Sequence, residues 1–161
     1  MGLFNLFKHT NKLDVKKTSK TDDTVAIDAN SVRSSVFKDM KVTISNTEKQ
    51  EDDADYKNYD YVGYIKKEQK SVPVVTATVN QIDDDLYELN NLAVIKKYRK
   101  HGYAKELLKK IEKELKKEDA FSLCVEVPEN VVKFYRDQGY DPYGQPMLKD
   151  NVWYRKMSKD F

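Results

Sequence analysis

The spacing of hydrophobic and polar positions changes several times along the chain, and each change marks an element. Tyr59-Asp-Tyr-Val-Gly-Tyr-Ile65 and Val72-Pro-Val-Val-Thr-Ala-Thr-Val79 are rich in β-branched and aromatic residues and predict two strands, with the polar Lys66-Lys-Glu-Gln-Lys-Ser71 as a hairpin connection. After an Asp83-Asp-Asp85 turn, Leu86 to Val94 predicts a third strand. A helix follows, because Ala104, Leu107, Leu108, Ile111 and Leu115 fall at i, i+3, i+4, i+7 and i+11 while Lys105, Lys109, Lys110, Lys113, Lys116 and Lys117 take the remaining face. Phe121 to Val127 predicts a buried strand. Pro128 to Gln138 predicts a shorter helix carrying Val131, Phe134 and Tyr135 and closed by Gly139, and Val152 to Met157 a final strand. An antiparallel first half followed by strand, helix, strand, helix, strand implies an α+β class, a mixed sheet with helices on its faces.

The first 58 residues carry a weaker pattern. Residues 1–23 open on an apolar cluster (Leu3, Phe4, Leu6, Phe7) and turn Lys, Thr and Asp rich, which reads as a loosely ordered leader or a partner-docking turn. Residues 24–161 form a single domain. Within it, Val25-Ala-Ile27 and Lys41-Val-Thr-Ile44 read as short strands, with Val32, Val36 and Phe37 on a helix face between them. Glu51 to Asp55 reads as a solvated turn or helix end.

Composition narrows the class. At 161 residues the chain is one domain's worth, and 11 Tyr, 6 Phe and one Trp supply bulky core material despite a charged fraction of 35%. Lys and Arg number 29 against 27 Asp and Glu, so the net charge of +2 does not by itself argue for nucleic acid or membrane. The one cysteine, Cys124, lies in the apolar run 121–127, reads as a small core residue, rules out an intramolecular disulfide and favours a cytoplasmic location. With only two His and one Cys, far apart, a structural zinc site is not expected. No apolar stretch reaches the ~18 residues of a membrane span, the first residues lack a signal peptide's apolar core, and Leu6 stands where a myristoylation motif takes Ser or Thr.

The candidate chemistry lies in Leu92-Ala-Val-Ile-Lys-Lys-Tyr-Arg-Lys-His-Gly-Tyr-Ala104, where a strand passes through a basic loop into the amphipathic helix. A strand delivering a loop onto a helix N-terminus aims backbone N–H groups and the positive dipole end at one spot, which suits a phosphate or pyrophosphate. Gly102 permits close backbone approach, Ala104 keeps the first turn small, and Lys96, Lys97, Arg99 and Lys100 add positive charge. The same loop also reads as an ordinary strand-to-helix turn with a solvated lysine face.

The order of residues adds more. Arg99-x-x-Gly102-x-Ala104, preceded by Leu92-Ala93-Val94, resembles the acyl-CoA pyrophosphate loop of the GNAT family of acetyltransferases, and Phe134-Tyr-Arg-Asp-Gln-Gly-Tyr140 resembles that family's Phe-Tyr-x-x-x-Gly-Phe signature. The resemblance covers residues 59–157. It implies a GNAT-like fold, a mixed sheet splayed into a V and flanked by helices, with acetyl-CoA as co-substrate and no metal. Leu92, Ala93 and Val94 would face the pantetheine and thioester, and Arg99, Lys100, His101, Gly102, Tyr103 and Ala104 would wrap the pyrophosphate.

By the same resemblance Glu88, six residues before Val94, stands where some members carry the base for the acceptor ammonium, and Tyr135 matches the tyrosine that protonates the leaving thiolate. Glu88 also reads as a solvent-facing strand carboxylate and Tyr135 as a core residue. Many members place a cofactor-contacting Asn seven residues before that tyrosine; here the position is Pro128, and Asn130 is the substitute candidate. Nothing beside Cys124 in the sequence lowers its pKa, which argues against a nucleophile.

The expected activity is N-acetyl transfer from acetyl-CoA to a primary amine on a small molecule or peptide, with a homodimer left open. The acidic clusters at residues 51–55 and 83–85 would suit a cationic acceptor. Two rivals are a GNAT-fold module that binds acyl-CoA or a protein without turnover, and an acetyltransferase acting on aminoacyl-tRNA, which would meet phosphates with the lysine-rich helix face.

Overall fold

The β-branched and aromatic runs from Tyr59 to Met157 become strands, and two-residue turns set the register of two hairpins among them. The computed structural model describes residues 11–38 and 56–161. Strands β1 (Asp14–Thr18), β2 (Asn58–Lys67), β3 (Lys70–Gln81), β4 (Leu86–Val94), β5 (Ser122–Pro128), β6 (Asp141–Lys149) and β7 (Val152–Asp160) form one mixed sheet in the order β1-β2-β3-β4-β5-β7-β6. Only β4 and β5 pair in parallel; the other neighbours are antiparallel. The β2–β3 turn places Glu68 and Gln69 at φ 48° and 65°, and the β6–β7 turn places Asp150 and Asn151 at φ 48° and 62°. Positive φ at both central residues marks the hairpin turn whose twist matches that of the flanking strands.

Helices cover both faces. Helix α1 (Thr24–Phe37) packs on β2, β3 and β4, where Arg33 pairs with Asp60 at 2.7 Å and donates to the Thr78 hydroxyl. Helix α2 (Tyr103–Lys117) and the short α3 (Val132–Asp137) lie on the opposite face. There Tyr61, Val79, Leu89, Leu123, Val125 and Met157 form the main core with Leu107, Leu108, Ile111 and Leu115 of α2 and Tyr135 of α3. Buried Glu112 of α2 accepts from the Tyr140 hydroxyl at 2.9 Å and from Lys159 at 2.9 Å, tying the end of the Phe-Tyr signature to β7. Burial, together with that carboxylate, pushes the Tyr140 phenol up.

Three expectations change. Val25-Ala-Ile27 is not a strand but the first turn of α1, because the Asp23 carboxylate caps the helix by accepting from the Ala26 N–H at 2.9 Å. The loosely ordered leader does not hold over residues 13–18: β1 pairs along β2, and Leu13 is buried, its amide donating to Glu106 and its carbonyl accepting from Lys110. Gly63 makes room for Leu13, since a Cβ there would lie 2.7 Å from both Leu13 methyls. Strand β6, absent from the sequence reading, pairs with β7 at the sheet edge. The cluster at Leu3, Phe4, Leu6 and Phe7, the strand expected at residues 41–44 and the acidic run at 51–55 lie outside the described residues. Among the described residues no helix is long and apolar enough to cross a membrane.

Candidate active site

The site begins where the sheet opens. Strands β4 and β5 pair only from Leu86↔Ser122 to Leu89↔Val125, yet β4 runs on to Val94 and β5 to Pro128. Among the described residues the β4 edge toward β5 therefore has no strand partner from Asn90 onward, and the two strands part as a V. A bulge marks the same place: Thr78 pairs with Asn90 and Thr76 with Ala93, so β4 holds one residue more than β3, and Asn91 takes φ 53°. Leu92 and Val94 are half-buried and Ala93 is buried. The Val94 carbonyl accepts from Arg99 Nε at 3.1 Å, which folds that side chain back onto the end of β4.

The loop beyond β4 has the geometry of an anion seat. Lys96–Tyr98 make one 3₁₀ turn, Lys100 and Gly102 take φ 63° and 81°, and α2 begins at Tyr103. Among the described residues the backbone N–H groups of His101 to Lys105 have no backbone acceptor, so they form an open fan at the positive end of a 15-residue helix. A Cβ on Gly102 would meet nothing within 4 Å, which leaves free space over the loop. His101 Nδ1 lies 3.0 Å from the Tyr98 carbonyl and 2.7 Å from that of Arg99. With two carbonyls facing it, Nδ1 is the protonated nitrogen and the ring fastens the loop. The His101 ring also stacks on Tyr103, whose side chain is buried, so Tyr103 offers the seat its amide. Free N–H groups, open space and the exposed cations Lys96, Lys97, Arg99 and Lys100 fit a pyrophosphate.

The two proton-transfer candidates lie on opposite faces. Glu88 projects to the α1 face, half-buried, and its Oε2 accepts from Asn90 Nδ2 at 3.0 Å. It stands opposite Cys124, one residue before β4 and β5 part. Tyr135 projects from α3 into the core on the other face, 3% exposed, with its ring edge-on to Phe134 and Tyr140. No described residue hydrogen-bonds its hydroxyl, yet among the described residues no buried polar side-chain atom lacks a partner; the hydroxyl tip is therefore open. Burial pushes its pKa up, which keeps the phenol protonated and able to donate.

Asn130 is exposed beside α3 and lines a cavity of about 520 Å³ with Glu129, Pro146, Trp153 and Arg155, toward the β6–β7 hairpin. A second cavity of about 560 Å³ lies between Leu13 and the outer side of α2, away from the V. Cys124 is half-buried rather than a core residue, and burial, with Glu88 nearby, pushes its thiol up, away from the nucleophilic thiolate. The sequence reading missed Asn90, which holds Glu88, and Tyr143, which reaches Cys124 from β6. Asn90 sits two residues from Glu88 and so on its face of the strand, a signal that was available.

This splayed sheet with a glycine loop at its mouth matches known proteins. Residues 54–161 match the model of the acetyltransferase (GNAT) domain, and the chain belongs to that family. No curated protein sequence matches it significantly. Among solved structures, a Lactobacillus plantarum protein assigned as an N-acetyltransferase superposes with TM-score 0.76 at 20% identity, covering 93% of this chain and 99% of its own. A Bacillus subtilis acetyltransferase in complex with CoA gives 0.64 at 12% identity, covering 93% and 99%. An aminoglycoside 6′-N-acetyltransferase complexed with coenzyme A gives 0.67 at 13%, covering 91% and 96%. At these identities the likeness is one of fold.

Proposed function

We propose that this protein transfers an acetyl group from acetyl-CoA to a primary amine by direct attack, and that the V between β4 and β5 is where the two substrates meet. The observation that carries the reading is the placing of Glu88, held by Asn90, one residue before the last β4–β5 pair, on the strand that leads into the open N–H fan at Gly102. Bound acetyl-CoA supplies the acetyl group as an activated thioester. The amides from His101 to Ala104, with Arg99 and Lys100, hold its pyrophosphate, and the free edge of β4 over Leu92, Ala93 and Val94 holds its pantetheine arm. Asn130, farther along the β5 arm, is a weaker candidate for the same contact.

An amine at neutral pH is an ammonium and has no lone pair to offer. Glu88 accepts one of its protons, the freed nitrogen bonds to the acetyl carbon, and the carbon–sulfur bond breaks. The Tyr135 hydroxyl, held neutral by burial, gives a proton to the departing sulfur, and the second proton that the nitrogen sheds on becoming an amide restores that hydroxyl, while Glu88 passes its proton to solvent. The products are an N-acetylated amine and free CoA thiol.

The test is thiol release from acetyl-CoA with a panel of primary amines. Amine-dependent release supports transfer; binding of acetyl-CoA without release with any amine or charged tRNA would instead identify a binding module. One observation favours a second reading, aminoacyl-tRNA as acceptor: Lys105, Lys109, Lys113 and Lys117 are exposed along α2 with no carboxylate partner among the described residues. Steep salt dependence of tRNA binding would support it.

A further inference from the structure

Amine acetylation at Glu88 requires a surface that holds the acceptor, and the sheet register indicates where it lies. Glu88 is opposite Cys124, Cys124 is opposite Ser158, and Lys156, two residues before Ser158, is opposite Tyr143. Directly paired residues, and residues two apart on a strand, share a face. These five side chains therefore form a row on the α1 face running from β4 to β6, beginning one residue before the V opens.

The small Ser158 between Cys124 and Tyr143 leaves room for the tyrosine to lean along the row toward the Cys124 thiol. The register of β6 shifts directly after Tyr143, where Gly144 takes φ 66°. Such a bulge re-aims the neighbouring side chain. Tyr143 is 45% exposed, a free aromatic surface on the same face as the base.

The charges along the row select what fits. Glu126, two residues on from Cys124, is neutralised by Lys149 at 2.6 Å. Among the described residues Glu88 has only the neutral Asn90 as partner. Asp141, opposite Ser158, is a second carboxylate on this face without a cation, but it lies on the side of Tyr143 and Lys156 away from the V, so Glu88 is the carboxylate at the opening that attracts an ammonium. Lys156 is exposed, has no carboxylate partner among the described residues, and stands between Tyr143 and Glu126 in the pairing. A second ammonium on the acceptor would meet that lysine.

Building on the acetyl-transfer reading, we propose that Tyr143 is the acceptor-binding residue and that the acceptor is a monocationic primary amine with an apolar body, its ammonium at Glu88 and its carbon skeleton on the Tyr143 ring. The aromatic face favours both the cation and the adjoining apolar carbons, while Lys156 disfavours polyamines.

The probes are 2-phenylethylamine and 1,4-diaminobutane, assayed by thiol release from acetyl-CoA. The expected result is a higher kcat/KM for 2-phenylethylamine. Tyr143→Leu should raise its KM by about five- to thirtyfold with kcat and the KM for acetyl-CoA little changed, and Tyr143→Phe, which keeps the ring, should restore most of the loss. A preference for the diamine, or an unchanged amine KM in Tyr143→Leu, overturns the proposal while leaving acetyl transfer standing.

Cys124, the one cysteine in the chain, gives a readout that needs no turnover. With desulfo-CoA bound, 2-phenylethylamine should slow methyl disulfide formation at Cys124 by methyl methanethiosulfonate, and Tyr143→Ala should speed it. Protection without turnover supports the acceptor surface and counts against acetyl transfer; neither protection nor turnover overturns the acceptor surface.

Discussion

The two faces of the sheet are built from alternate residues of the same strands and do different work. Under α2 and α3, Leu89, Leu123, Val125 and Met157 are packed into one apolar core. Turned over, the same stretches present Glu88, Asn90, Cys124, Lys156 and Ser158, all polar and partly open apart from the stretch that α1 covers. The covered stretch holds a small apolar cluster of Ala29, Val62 and Tyr64 beside Arg33, Asp60 and Thr78, which satisfy one another. One face thus holds the strands in place, and the other is free to carry groups whose burial would cost stability unless paired. Neighbouring residues on one strand should therefore fail in different ways when replaced.

The largest effect is expected at Glu88. Glu88→Gln keeps the shape and should lower kcat/KM by about 10²- to 10⁴-fold near neutral pH with an unchanged melting temperature. Loss of stability in place of activity would break the division between faces. Leu123→Ala, one residue before Cys124 but on the core face, should cost about 2–5 kcal/mol in denaturant unfolding, with acetyl-CoA affinity retained in the folded fraction. Gly102→Val sits on neither face: at φ 81° a β-branched residue is strained and its side chain enters the space over the loop, so calorimetry should show acetyl-CoA binding at least ~10-fold weaker, about 1.4 kcal/mol. Cys124→Ser should be the mildest, within about 1 kcal/mol of wild type in the same unfolding experiment, because its site is already half open and polar. A cost equal to that of Leu123→Ala would mean that the polar row is part of the core.

The elements legible in the sequence are those whose own residues carry the period. Strands β2 to β5 and β7 announce themselves by β-branched and aromatic runs, and α2 by its leucine stripe. Strand β6 does not, because Pro142, Gly144 and Pro146 argue against a strand; at an outer edge, with a register shift between Tyr143 and Met147, they are tolerated. Its one local clue was Asp150-Asn151, two residues suited to a tight turn just before Val152. Strand β1 is mostly polar, with Val15 its one apolar residue, and the large apolar side chain that burial fixes there is Leu13, just before the strand and fitted over Gly63. The start of α1 misled because three apolar residues in a row suit a strand, while the deciding Asp23 cap is a single side chain.

The candidate site divides along the same line. Glu88, Tyr135 and the loop to Gly102 were readable because each belongs to a linear motif. The row from Glu88 through Cys124 to Tyr143 was not, since it exists only after four strands take their register. Deleting residues 1–23, which the leader reading expects to be harmless, should now destabilise the fold, because it removes β1 and buried Leu13.

The most direct test of the central claim is the pH profile of kcat/KM for wild type, Glu88→Gln and Tyr135→Phe with one amine that the wild type accepts. If Glu88 removes the ammonium proton, the Glu88→Gln deficit shrinks as pH rises and free amine becomes plentiful. Tyr135, its pKa raised by burial, stays protonated through that range and does not cancel the recovery. Tyr135→Phe should lose turnover without alkaline recovery, since its loss falls on the leaving thiolate. Full activity of Glu88→Gln across the whole pH range would contradict the account and leave Glu88 a strand carboxylate held by Asn90.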